Sequence, residues 1–461
     1  MKTFSMSRTT MSIFLTLVFA SHSLYAQQGP KGPWLQYKNL ETAGFSSQKL
    51  EAAKAQFKKM RSSSLMVVHQ GKVVAAWGDV SRRFLAHSIR KSLMSAMYGI
   101  YEEKGQIDLS KTLQTLGIDD LQGLSDQEKQ ATVQNLITAR SGVYHPAAYE
   151  PKSMKRNRPQ RGSAQPGERF FYNNWDFNTL LTILEQEADL KFFEAIQKDI
   201  SDPLGMEDLR PEDMNYRLEK ESSEHPAYLF KISTRDLARF GQLYLNKGSW
   251  NGRQLVPADW VSTSTKAFST DLGGFSNRGG YGYLWWVDAK TYSEPTYYAS
   301  GSGGHRLYIF PKSELVIVHR VNSYLNMGVR EADLKALIQG LLDAKTAKAK
   351  PNPELVPLAI KSSGQPRVKQ AKKQLKQYTG TYEHPFFKEI SVYLAGNQLR
   401  MKGEILGNFR VYPGSKKDEF WVEDLPELPL IFSLADEQNP KGKATTEVNE
   451  RGIPTRVIMY Y

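Results

Sequence analysis

The chain contains no cysteine, and this absence removes several kinds of chemistry at once. Without a thiol there is no disulfide, no thiolate nucleophile and no cysteine metal ligand. Histidine is also scarce, with eight residues in 461, and none of them form an H-x-x-x-H or H-E-x-x-H pair. These absences argue against a metalloenzyme, and we expect the protein to use no cofactor.

Long apolar runs are missing beyond the first residues. The N-terminal segment has Lys2 and Arg8, an apolar stretch over residues 11–20 and a small residue, Ala26, at a plausible cleavage point. This pattern predicts a signal peptide over residues 1–26 and therefore a periplasmic or secreted bacterial protein. The apolar stretch is too short to cross a bilayer, and no later window of eighteen residues is apolar, so we expect no membrane span.

Negative charge is in deficit. The chain has 61 Lys and Arg against 48 Asp and Glu, a net charge of +13. Nine basic residues fall between residues 345 and 376, where Glu354 is the only acid. Residues 345–373 also contain several prolines and little periodicity, which predicts a linker. Because the positive charge is concentrated in a tether, we expect no nucleic-acid partner.

The rest of the chain is organised in two parts. Residues 27–344 alternate helical and strand patterns, which predicts one α/β domain. In residues 374–461, short strands recur between turns, which predicts a small all-β barrel or sandwich. Within the first part we expect a strand hairpin at 65–77, helices at 124–142, 175–190, 234–248 and 332–344, and strands at 281–289, 306–311 and 314–321.

Ser88 and Lys91 stand three residues apart in a segment that is otherwise largely apolar. On a helix, positions three apart share a face. A lysine in apolar surroundings loses part of its preference for the charged form, so it can accept the serine proton and activate the serine as a nucleophile. The alternative is that Ser88 caps the helix and Lys91 extends to solvent.

Two further stretches carry residues that suit hydrolysis. Tyr172 can carry a proton beside an ammonium group, and Asn174 can bind a substrate carbonyl. The alternative is that Tyr172 fills the core and Asn174 caps the following helix. Gly301, Ser302 and Gly303 precede a strong strand, where small residues allow a substrate to approach the backbone. The alternative there is a tight turn.

In this order, S-x-x-K, Y-x-N and a small glycine-containing strand resemble the serine β-lactamase and penicillin-binding protein superfamily. The stretches "SIRKSLMSAMYGI" and "PGERFFYNNWDFNTL" are most similar to its class C-like branch, which includes esterases, D-aminopeptidases and 6-aminohexanoate-oligomer hydrolases. The likeness covers about residues 40–343. It implies a three-layer α/β domain with a helical subdomain. The C-terminal region resembles the lipocalin-like β domain that often follows such hydrolases.

The resemblance implies a role for each residue of these motifs. Ser88 would be the acylated nucleophile and Lys91 its proton partner. Tyr172 would act as general acid and base, and Asn174 would orient the substrate. The backbone N–H groups of Ser88 and Ser302 would form the oxyanion hole.

One position departs from the superfamily pattern. The triplet that begins at Ala299 stands where the superfamily has K-T-G or H-T-G. The lysine or histidine there binds a substrate carboxylate, and alanine has no group that could do so. We therefore expect neutral esters or amides to be preferred. Arg306 or His305 could instead take over anion binding, or either could be an ordinary strand residue.

The sequence thus predicts an exported serine hydrolase that cleaves an ester or amide bond of a small substrate through an acyl-enzyme on Ser88. One alternative is a D-Ala peptidase or weak β-lactamase that acts on peptidoglycan-like substrates. Another is a non-catalytic, penicillin-binding-like sensor. The motifs do not indicate an oligomeric state.

Overall fold

The computed structural model describes residues 32–325, 328–360, 368, 370–385, 387–403, 407–450 and 454–461. The predicted signal peptide, residues 1–26, lies outside the described residues. Buried apolar side chains form two clusters, one in each part of the chain.

Among the described residues, the first part of the chain contains fifteen strands and ten α-helices. The strands are β1 (Leu35–Tyr37), β2 (Ser62–His69), β3 (Lys72–Gly78), β4 (Arg83–Leu85), β5 (Asn215–Glu219), β6 (Ser223–Leu229), β7 (Lys231–Ser233), β8 (Ser249–Trp250), β9 (Arg253–Gln254), β10 (Gly280–Tyr281), β11 (Trp286–Asp288), β12 (Thr296–Gly301), β13 (His305–Phe310), β14 (Leu315–Val321) and β15 (Leu355–Pro357). The helices are α1 (Ser47–Lys59), α2 (Arg90–Glu103), α3 (Val133–Ile137), α4 (Lys152–Arg156), α5 (Asn174–Glu187), α6 (Phe192–Ile196), α7 (Asp202–Leu204), α8 (Thr234–Leu245), α9 (Ala258–Ser264) and α10 (Glu331–Asp343).

A nine-stranded mixed sheet lies between helices in this part. Its strand order is β10–β11–β12–β13–β14–β2–β3–β1–β15. Helix α8 covers one face, where a Cβ added at Gly241 would lie 2.5 Å from the Val316 side chain. Helix α1 covers the other face, where Phe57 packs on Trp77. The strand register puts Val316 and Trp77 on opposite faces, so the predicted three-layer α/β domain is confirmed.

The second part is an eight-stranded sheet that nearly closes on itself. Its strands are β16 (Gly380–His384), β17 (Lys388–Ala395), β18 (Gln398–Gly403), β19 (Gly407–Pro413), β20 (Glu419–Val422), β21 (Leu425–Ser433), β22 (Ala444–Val448) and β23 (Pro454–Tyr460), preceded by α11 (Lys372–Leu375). They follow the order β16 to β21, then β23 and β22. A bridge between Glu383 and Lys443 brings the two edges together. The predicted small β barrel is confirmed.

Two predicted elements are interrupted in the structure. Residues 124–142 were expected as one helix, but they form a short 3-10 turn and then α3, because Thr132 is extended and caps α3 with its side chain. Residues 281–289 were expected as one strand, but β10 and β11 pair as a tight hairpin. A Cβ on Gly282 in this hairpin would lie 2.2 Å from the Ser264 carbonyl oxygen, so the bend requires glycine.

The segment predicted as a linker begins along the edge of the sheet. The Lys350 N–H donates to the Thr42 carbonyl, and β15 pairs antiparallel with β1. An edge strand offers unpaired backbone groups, and β15 satisfies those of β1. Residues 361–367 and 369 of this segment lie outside the described residues.

Candidate active site

Ser88 lies in a 3-10 turn, His87–Ile89, that leads directly into α2. The Lys91 ammonium nitrogen Nζ donates to Ser88 Oγ at 3.1 Å. Only 2% of Lys91 is exposed, and Leu93 and Met94 on the same helix are fully buried. The lysine therefore does not reach solvent, and its polar contact is the serine hydroxyl.

The surroundings of Lys91 disfavour its positive charge. Its Nζ lies 4.9 Å from the ring centre of Tyr172 and 4.7 Å from that of Phe177. No carboxylate among the described residues is within ion-pair distance of it. Burial, and then the charge of Arg90, lower the pKa of Lys91 well below its usual range. A lysine in this state can accept a proton from Ser88.

Tyr172 lies in a box of aromatic rings beside the serine. Its ring stacks on Trp286 at 5.4 Å between centres and also contacts Phe177 and Phe275. Burial raises the pKa of the Tyr172 phenol, while hydrogen bonding with Ser88 opposes this rise. The phenol is therefore neutral at physiological pH, and Tyr172 lines the same cleft as Ser88.

Asn174 is the first residue of α5, but it does not cap this helix. The cap is Asn173, whose side chain accepts from the Asp176 N–H. The Asn174 amide nitrogen donates to the Tyr149 carbonyl at 2.5 Å, and its Oδ1 is buried with no partner among the described residues. Asn174 is not among the described residues that line the cleft over Ser88.

A cleft of about 370 Å³ opens over Ser88. The end of β12 and the turn after it form one wall, and the aromatic box forms another. A Cβ on Gly301 would lie 3.0–3.3 Å from the side chains of His305 and His87, so this wall requires a small residue. The lining residues are Ser88, Tyr172, Phe275, Arg278, Trp286, Ser300, Gly301, Ser302, Gly303, Gly304, Arg306, Val329 and Glu331.

The two residues that the sequence offered as alternative anion ligands, Arg306 and His305, have other partners in the structure. Arg306 donates to the Glu331 carboxylate at 2.6 Å and to the carbonyls of Gly301 and His305. His305 is fully buried, and its Nδ1 accepts from Arg320 at 2.9 Å. Arg306 lines the cleft with its charge already neutralised by Glu331.

Arg278 supplies a positive charge to the cleft, and the sequence analysis missed it. Its Nη1 donates to Ser300 Oγ, the middle residue of the Ala299 triplet, at 2.8 Å. The guanidinium carbon lies 4.8 Å from the Trp286 ring centre. Among the described residues, no carboxylate forms an ion pair with it. No local motif marks Arg278 in the sequence. It lies just before β10, and its approach to Ser300 depends on the pairing of β10 with β11 and of β11 with β12.

The described residues contain no group of three or more His, Asp or Glu that could hold a metal ion. Every helix within the described residues is too short or too polar to span a lipid bilayer. A buried lysine on a serine hydroxyl, with a phenol beside it in an open cleft, defines the class of serine hydrolases that use an S-x-x-K pair.

The chain belongs to the β-lactamase family, whose profile matches residues 48–341, more than half of the chain. No curated protein matches the chain in sequence.

Solved structures share its fold at low sequence identity. A candidate 6-aminohexanoate-dimer hydrolase from Bacillus anthracis is 23% identical with a TM-score of 0.52, over 69% of this chain and 88% of that one. An octameric penicillin-binding protein homologue from Pyrococcus abyssi is 19% identical with a TM-score of 0.50, over 82% and 92%. A candidate β-lactamase from Bacteroides dorei is 15% identical with a TM-score of 0.51, over 66% and 100%.

Proposed function

We propose that the protein is an exported serine hydrolase that cleaves an ester or amide bond of a small substrate through an acyl-enzyme on Ser88. The observation that carries this proposal is the 3.1 Å hydrogen bond between buried Lys91 and Ser88 at the floor of an open cleft. Export rests on the pattern of residues 1–26, and sequencing the N-terminus of the mature protein tests it.

The proposed reaction assigns one step to each of these side chains. Ser88 Oγ attacks the substrate carbonyl carbon while its proton passes to Lys91 Nζ. The Tyr172 hydroxyl gives its proton to the leaving alcohol or amine and takes back the proton held by Lys91, and the leaving group departs with an ester left on Ser88. Water then attacks this ester, releases the acid and returns the proton to Ser88. Ser88 and Ser302 both line the cleft, and in this proposal their backbone N–H groups receive the oxyanion.

A substrate panel tests this proposal. We expect short esters or amides to be hydrolysed by the wild type and not by Ser88→Ala. Ser92→Ala is the matched control, because Ser92 lies one turn along the same helix and its hydroxyl donates to the Leu284 carbonyl. Retained hydrolysis in Ser88→Ala, or equal loss in Ser92→Ala, would contradict the proposal.

A second candidate activity is hydrolysis of carboxylate-bearing substrates, such as a D-Ala peptide. Arg278 favours it, because its guanidinium lines the cleft and donates to Ser300 of the Ala299 triplet. It would supply the positive charge that the triplet lacks. The measurement is kcat/KM for a neutral and an anionic substrate with the same scissile bond. If Arg278 binds the carboxylate, Arg278→Gln lowers the anionic value about 10- to 100-fold and leaves the neutral value unchanged.

The exposed Arg253 provides the control, as Arg253→Gln removes the same charge from a residue that does not line the cleft. A wild type that prefers the neutral substrate, with no response to Arg278→Gln, would support the preference expected from Ala299 instead.

A further inference from the structure

One side chain of the hydrolase domain lies inside the core of the β domain. Tyr324, just after β14, is 6% exposed and belongs to the hydrophobic cluster of the β domain. Its ring packs edge-on against Phe409 at 5.3 Å. The cavity that it lines there is only about 20 Å³, close to the space of one water. The adjacent Asn322 amide donates to Glu427 of the β domain at 3.1 Å.

The residue between these two contacts the neighbour of the nucleophile. Ser323 Oγ is 2.7 Å from Nε2 of His87, the residue before Ser88, and 3.3 Å from Nε2 of His305. The described segment 322–324 therefore binds the β domain with two side chains and the active-site turn with the one between them.

The direction of each hydrogen bond in this network follows from Arg320. A guanidinium is only a donor, so Arg320 Nε donates to His305 Nδ1 at 2.9 Å. The proton of neutral His305 is then on Nε2, which donates to Ser323 Oγ. The Ser323 hydroxyl is left to donate to His87 Nε2. Both imidazoles are neutral, since burial first and then the Arg320 charge lower their pKa, that of His87 to about 3.

His87 has little freedom to find another arrangement. Its backbone φ is +48°, a region that few residues other than glycine adopt. His87 also packs against the cleft wall, because a Cβ added to Gly301 would be 3.3 Å from His87 Cβ. Movement of His87 would shift both Ser88 and this wall.

We propose, on the basis of the acyl-enzyme function above, that the β domain positions the nucleophile: Tyr324 anchors segment 322–324 in its core, and Ser323 holds His87 and thereby the Ser88 turn. Ser323 and His87 are positioning residues, and neither is among the described residues that line the cleft. The C-terminal domain is then part of the architecture of the active site.

Variants of the full chain test this proposal through kcat, KM and the rate of fluorophosphonate labelling of Ser88. Ser323→Ala removes the shared hydroxyl. We expect it to lower kcat and the labelling rate at least about fivefold with KM within about twofold, because positioning affects the reaction more than substrate binding. Ser323→Thr keeps the hydroxyl and should restore both rates.

Two variants of Tyr324, the residue that anchors the segment, form a second matched pair. Tyr324→Phe removes a hydroxyl that has no partner among the described residues, so it should behave as wild type. Tyr324→Ala should show the kcat loss of Ser323→Ala. Arg410→Gln, which breaks an interdomain pair with Glu212 away from this segment, should leave kcat unchanged. If Tyr324→Ala does not fold, the Ser323 pair decides.

These experiments distinguish failure of the positioning role from failure of the proposed function. Wild-type kcat in Ser323→Ala, a loss confined to KM, or no rescue by threonine would overturn the positioning role while hydrolysis at Ser88 stands. If the wild type is not labelled on Ser88, the proposed function fails and the positioning role fails with it.

Discussion

The Lys91 side chain contacts Ser88, and no carboxylate among the described residues forms an ion pair with it. This environment of Lys91 sets the chemistry of the cleft. The S-x-x-K spacing predicted that the two side chains would be neighbours, and the structure places them so. The spacing did not reveal that aromatic rings from α5 and from the segment before it enclose the lysine. Arg278 was not predictable either, because its approach to Ser300 depends on tertiary packing.

At the residue scale we predict that Lys91→Arg lowers kcat/KM at least about 100-fold, because arginine cannot give up its proton and general-base help is lost. Lys104→Arg makes the same change at the exposed end of α2 and should have no effect.

In the wild type, kcat/KM should fall as pH falls through the lowered pKa of Lys91. A decline that begins at the ordinary lysine pKa of about 10.4 would contradict this state.

At the scale of elements, α5 carries a buried acid in its first turn. Asp176 Oδ1 accepts from the Ser141 hydroxyl at 2.6 Å, and Oδ2 has no partner among the described residues. Burial raises the pKa of Asp176 to about 8, although the Ser141 hydrogen bond opposes the rise. The sequence pattern predicted the helix but gave no sign of this acid, because the layers that bury it come from distant segments.

This pKa makes the free energy of unfolding depend on pH. The folded state keeps the Asp176 proton above pH 4 and the unfolded state loses it, so stability falls as pH rises from about 4 to 8. One such group contributes about 1.4 kcal/mol per pH unit in that window. We predict that Asp176→Asn removes this contribution, as measured by denaturant unfolding at pH 5 and pH 8. The exposed Asp189→Asn, after the same helix, should keep the wild-type slope, and an unchanged slope in Asp176→Asn would refute the assignment.

Across the whole molecule, a buried charge cluster joins the two domains. Arg83 pairs with Asp213 of the hydrolase domain and with Glu423 and Asp424 of the β domain, at 2.7–3.0 Å. Lys231 joins the cluster through Asp213 at 3.0 Å. Alternating helical and strand patterns predicted the first domain, and recurring short strands predicted the second. This interface could not be predicted, since Arg83 and Asp424 lie 341 residues apart along the chain.

We predict that Arg83→Ala lowers the free energy of unfolding by about 3–5 kcal/mol, because the carboxylates lose the side chain that pairs with all three of them. Arg456→Ala breaks an exposed pair with Glu447 and should cost less than about 1 kcal/mol. Denaturant unfolding of both variants measures the difference. Equal, small effects would show that the domains do not depend on the cluster.

The most direct test of the central claim is intact-mass and peptide analysis of the protein quenched during turnover of an activated ester. We predict a mass increase equal to the acyl group, located on the peptide that contains Ser88, and absent in Ser88→Ala. An acyl group on another residue, or turnover with no covalent intermediate and full activity in Ser88→Ala, would contradict the acyl-enzyme mechanism.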